Sequence, residues 1–112
     1  MVKVKKFVLE SKIHFALGGK RKDFLKFCYI LKNEMKCDLI PEEFDNGKES
    51  ILIDVDGSMI STFSKDGLVF TLIFDEFGSS LWADSGKKEG EVYYDELEKI
   101  ANEIADRANK KR

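Results

Sequence analysis

Between Leu68 and Phe74, apolar or β-branched residues occupy both parities, with Leu68, Phe70, Leu72 and Phe74 on one and Val69, Thr71 and Ile73 on the other. Successive side chains of a strand point to opposite faces, so this segment needs cover on both sides and belongs inside a sheet. Asp66 before it, and Asp75 with Glu76 after it, discourage self-association through so apolar a stretch. The remaining residues must therefore supply strands on both of its edges and layers over its faces.

The strand neighbours are legible in the turn residues. Runs Glu49 to Val55, Ser58 to Ser64 and Leu68 to Asp75 are separated by Asp56-Gly57 and Asp66-Gly67. Asp-Gly between β-rich runs marks tight hairpins, because glycine accepts the positive φ they require. An antiparallel meander follows, with a shorter fourth run, Ser79 to Asp84, after Gly78 and a polar interruption from Ser85 to Gly90. Nearer the N-terminus, Phe7, Leu9, Ser11, Ile13, Phe15 and Leu17 repeat with period two and indicate a strand with one buried face. Val2 and Val4 have the opposite parity, and the phase change near Lys5 and Lys6 suggests a bulge or a break into two strands. Gly18-Gly19 ends the strand.

Two amphipathic helices supply the layers. From Arg21 to Cys37, the residues Phe24, Phe27, Cys28, Leu31 and Met35 recur at spacings of three and four. Pro41 and the run Glu42 to Lys48 read as a polar connection. In the last segment Asp95 is the expected cap, with Glu98 reaching back to it. Leu97, Ile100, Ala101, Ile104, Ala105 and Ala108 then form the apolar stripe, and Lys110, Lys111 and Arg112 suit the negative end of the helix dipole. The expected architecture is a two-layer α+β domain over residues 1–112, an antiparallel β-meander packed with two amphipathic helices in the order β-α-β-β-β-(β)-α. The helices can cover one sheet face each, the arrangement expected here, or share one face and leave the other to a partner or a second copy.

With 112 residues, 43% of them hydrophobic and nine of them Phe, the chain suits one self-sufficient core. Its apolar runs fall far short of the roughly 20 residues that cross a bilayer, and its N-terminus has no apolar signal segment, so neither membrane nor export is expected. Cys28 and Cys37, if helical, lie about 13 Å apart along the axis, beyond disulfide reach. Reduced thiols in the cytoplasm are the simplest expectation. Charge is segregated along the chain. Residues 1–37 carry ten Lys/Arg against three Asp/Glu, residues 38–98 four against sixteen, and residues 99–112 five against two.

Ile51-Leu-Ile-Asp-Val-Asp-Gly-Ser58 ends an apolar run in two spaced carboxylates. It resembles the first motif of haloacid-dehalogenase-like phosphatases, an apolar strand ending in Asp-x-Asp-Gly-Thr. The resemblance implies Asp54 as nucleophile and Asp56 as acid/base beside magnesium. It covers eight residues, has Ser58 in place of Thr, and is followed by a further strand and turn where the family has a cap and crossover helix. The stretch is therefore read as a hairpin turn, with no catalytic residue, cofactor or metal expected. Asp75-Glu-Phe-Gly78 is read as a turn and Gly18-Gly-Lys20 as a strand terminator, because neither carries the companion residues of a kinase or phosphate-binding loop. His14, the lone histidine, falls on the more polar parity of the first strand, and one His with two Cys cannot furnish a four-ligand zinc site.

Binding is the remaining expectation. Asp45, Glu49, Asp54, Asp56, Asp75, Glu76 and Asp84 fall mainly at turns and strand ends, where side chains project from one end of a sheet and steer it toward a basic surface. Trp82 is a candidate anchor among them, against the simpler reading of a ring packed over the edge of the core. The leading expectation is a non-catalytic protein-binding domain of the inhibitor or immunity type with a basic partner. The runner-up is nucleic-acid binding through Lys20, Arg21 and Lys22, and third comes an enzyme with an unrecognised site.

Overall fold

A computed structural model describes residues 1–9, 12–40, 42–44, 47–49, 51–53, 56–83 and 91–110. The strands are β1 (Lys5–Leu9), β2 (Lys12–Gly18), β3 (Asp38–Ile40), β4 (Glu42–Phe44), β5 (Gly47–Glu49), β6 (Leu52–Ile53), β7 (Met59–Lys65), β8 (Leu68–Asp75) and β9 (Gly78–Ala83). The helices are α1 (Arg21–Tyr29), which continues as a π-helical turn over Ile30–Glu34, and α2 (Glu91–Lys110). The main sheet is antiparallel, with strand order β1-β2-β9-β8-β7-β3 and β6 also paired to β7. This is an α+β fold. β8 lies between β9 and β7, the interior place that its composition demands.

The turns follow from their residues. β7 and β8 are joined at Lys65 and Leu68 through Asp66-Gly67, both with positive φ (52° and 85°), as a two-residue primed turn requires. β8 returns into β9 through Glu76-Phe77. Gly78, with φ 104°, packs so tightly on the β2–α1 turn that a Cβ there would lie 2.8 Å from Gly18 backbone atoms. The two turns can approach this closely only because position 78 lacks a side chain.

The N-terminal strand expected from Phe7 to Leu17 is two strands. β1 and β2 form a hairpin that reverses between Leu9 and Lys12, not near Lys5 and Lys6, pairing Phe7 with His14 and Leu9 with Lys12. Paired positions sum to an odd number, so odd residues of β1 share a face with even residues of β2. Phe7 and Leu9 thus lie on the opposite face from Phe15 and Leu17, and one unbroken period of two conceals a change of face.

Both helices pack on the same face, contrary to the expectation of one on each. Phe24 and Phe27 of α1 and Leu97, Ala101 and Ile104 of α2 have no exposed surface. They join Phe15, Leu17, Leu81, Phe70, Leu72 and Phe63 in one cluster. α1 rests on β8 and β9, and α2 on β2 and β9. Side chains of this size each contribute roughly 1.5–3 kcal/mol when withdrawn from water. The π-helical turn, closed by Met35 N–H on the Ile30 carbonyl at 2.8 Å, brings both Ile30 and Leu31 into that core. The segment stops at Lys36, in a left-handed conformation (φ 60°), and Cys37 N–H returns to the Leu31 carbonyl at 2.9 Å.

Three further expectations are corrected. The Glu42 to Lys48 stretch contains the hairpin β4–β5. Among the described residues of the run Glu49 to Val55, strand covers Glu49 at the end of β5 and Leu52–Ile53 of β6, while Ser50, Asp54 and Val55 lie outside the described residues. α2 begins at Glu91, so Asp95 lies inside the helix rather than capping it. Tyr94, partly buried three residues before Leu97, extends the apolar stripe by a turn and explains the earlier start. No helix among the described residues is long and apolar enough to cross a membrane.

Candidate functional site: the acidic loop end of the sheet

Three turns meet at one end of the sheet and enclose a groove of about 830 Å³. The β6–β7 turn contributes Asp56 and Ser58, the β8–β9 turn contributes Asp75, Glu76 and Phe77, and the β2–α1 turn contributes Lys20. Each acidic turn is braced by its own aspartate. Asp56 Oδ1 accepts Ser58 N–H at 2.9 Å and Ser58 Oγ–H at 2.6 Å, while Asp75 Oδ1 accepts Phe77 N–H at 2.9 Å. These side-chain turns hold the loops, and both aspartates remain exposed. The two bonds from Ser58 hold the Asp56 carboxyl below its ordinary range, so it is ionised at neutral pH. An acid catalyst working at that pH needs a shift the other way.

Phe77 is the residue that sequence reasoning missed. It stands 85% exposed between Glu76 and Gly78, whereas Phe15, Phe24, Phe27, Phe63 and Phe70 are buried in the core. Phe77 lines the same groove as Asp56, Asp75 and Glu76. The signal in the sequence was its place inside a turn, between Asp75 and Gly78.

Of the acidic residues singled out in the sequence, the structure brings Asp56, Asp75 and Glu76 to one groove. Glu49 ends β5, in the two-stranded hairpin off the main sheet. Asp45, Asp54 and Asp84 lie outside the described residues. Trp82 does not join the acidic end. It lies on the sheet face away from the helices, stacked on His14 at 5.6 Å with Lys12 Nζ 4.7 Å over its ring, and His14 in turn stacks on Phe7 at 5.0 Å. The Trp82 Nε1 is buried with no hydrogen-bond partner among the described residues, so stacking holds the ring. His14, expected on a polar face, is buried because β1 folds Phe7 over it.

Lys20, Arg21 and Lys22 are exposed at the start of α1. Lys20 N–H donates to Asp23 Oδ2 at 2.7 Å, which fixes the helix entry, and Lys20 lines the acidic groove. A phosphate approaching Lys20 also meets Asp56, Asp75 and Glu76, which line the same groove. Cys28 and Cys37 are both free thiols. Burial pushes the Cys28 thiol from its ordinary 9.0 up to about 12, against the opposing effect of its Ser61 hydrogen bond, and burial raises Cys37 as well. Neither has the lowered pKa of a nucleophilic cysteine. The stretch that resembles the phosphatase motif turns directly from β6 into antiparallel β7. Among the described residues no three His, Cys, Asp or Glu side chains converge to hold a metal ion.

No family model, curated protein or solved structure matches the chain. Its function has to be read from its own residues.

Proposed function

We propose that the chain is a non-catalytic protein-binding domain of the inhibitor or immunity type, which docks the acidic loop end of its sheet onto a basic protein surface. The observation that carries this reading is Phe77, 85% exposed and set among Asp56, Asp75 and Glu76 around one groove. Exposing a phenyl ring in water has no benefit for the isolated fold, whereas burying it against a partner recovers roughly 1.5–3 kcal/mol. The surrounding carboxylates add attraction at a distance, which raises association rates with a basic surface and weakens with salt. The turns that carry them are braced before binding, so little order remains to be imposed on contact.

Affinity capture from the native host tests the reading. The immobilised chain should retain a basic protein that elutes as salt is raised, and the variant Asp75→Lys/Glu76→Lys should retain it poorly. Recovery of nucleic acid in place of a protein, lost on neutralising Lys20, Arg21 and Lys22, would overturn the reading in favour of the basic segment.

A further inference from the structure

We propose that β1 pairs antiparallel with β1 of a second copy of this chain, about a twofold axis through Phe7. β1 is the outermost strand of the sheet, and all five of its residues are exposed, with Phe7 at 37%, Val8 at 67% and Leu9 at 54%. The residues before it do not shield that edge. Val2 N–H donates to Asn109 Oδ1 at 2.8 Å and Asn109 Nδ2 donates to the Val2 carbonyl at 3.0 Å, tying the N-terminal stretch to α2. At the other side of the sheet, β7 is flanked by three residues of β3 and two of β6, so among the described residues β1 is the only long continuous edge. Edge strands that stay unpaired are blunted by charge, proline or a bulge. Here Lys5 and Lys6 guard one half, and Phe7-Val8-Leu9 is unguarded.

The order of these five residues selects the occupant. With Phe7 opposite Phe7, Lys5 faces Leu9 of the second copy and Lys6 faces its Val8, and the same pairs recur across the axis. No lysine stands directly opposite a lysine, and each lysine stem lies along an aliphatic side chain while its ammonium reaches water. The contact is self-complementary, as a twofold interface must be. It also extends the open-face row, so that Trp82, His14 and Phe7 of one copy run into Phe7, His14 and Trp82 of the other. A strand from an unrelated protein would have to bring matching residues of its own, whereas β1 already carries them. Five residues per copy bury less than the roughly 1,200 Å² of a tight complex, so the dimer is weak and forms at high concentration.

Sedimentation equilibrium of the full chain, from about 10 µM to about 1 mM, should show a reversible monomer–dimer equilibrium. Val8→Lys sets a lysine opposite Lys6 at two places and should weaken the dimer about tenfold or more, and Lys6→Glu combined with Val8→Lys should restore it to within about threefold. Leu9→Lys, alone and with Lys5→Glu, repeats the test on the other face of β1, with circular dichroism confirming that each variant is folded. A folded chain that stays monomeric throughout, leaving the edge for a strand of another protein, overturns the proposal. So do dimers indifferent to both single lysines, or both double variants failing to recover.

Discussion

The two faces of β8 are built on different principles. On the helix side Phe70 and Leu72 have no exposed surface and sit beneath α1 and α2. On the other side Thr71 is also buried, but by neighbours within its own sheet: Trp82 on β9 and Thr62 on β7, whose Oγ1 lies 3.3 Å from that of Thr71. Neither helix lies over that face. The first face is held by bulk burial between layers, the second by a row of flat and β-branched side chains lying across the strands. Two apolar parities in one strand therefore demand cover, but the cover need not be a second layer of helices.

The sharpest way to break this comparison is truncation on each face. Leu72→Ala should lower unfolding free energy by about 3 kcal/mol, and Ile73→Ala, half-buried on the other face, by about 1 kcal/mol, measured by urea denaturation. Equal losses would mean that the open face is packed as tightly as the core. Trp82→Ala removes one stacked ring and a cation contact, and should cost about 2 kcal/mol. A further contrast comes from pH. Because burial holds the Cys28 proton in the folded chain up to about pH 12, against an ordinary pKa of 9.0, that contribution is fully present below pH 9 and is lost as pH rises toward 12. Stability should fall less steeply over that range in Cys28→Ala than in the wild type. At the acidic end the expected stability effects are smallest. Phe77→Ala should change stability by less than about 0.5 kcal/mol, because the ring contributes little to the core.

How much of this was legible in the sequence depended on whether one element could be read alone. β8 declared its interior place through its own two parities, and the α2 stripe through its own spacing. Asp66-Gly67 declared a hairpin because the turn geometry is encoded in the two residues that make it. The β1–β2 hairpin did not, because its odd pairing sum let Phe7 and Leu9 keep the parity of Phe15 and Leu17 while facing the other way. The site was half legible. Asp56, Asp75 and Glu76 could be placed at turns, but their convergence on one groove with Phe77 depends on strand order, which no local pattern encodes. Trp82 was drawn into the acidic group by proximity in sequence, although its position opposite Thr71 and His14 places it mid-strand on a face.

The central claim is that the acidic loop end serves recognition and contributes little to the fold. Glu76→Lys/Phe77→Ala, which leaves the Asp75 brace on the Phe77 N–H in place, compared with the wild type for both thermal midpoint and capture of a basic protein from the host, tests it most directly. The account predicts a midpoint nearly unchanged and capture abolished. A variant that captures the same protein as well as the wild type, or one that loses its fold along with its capture, would contradict it.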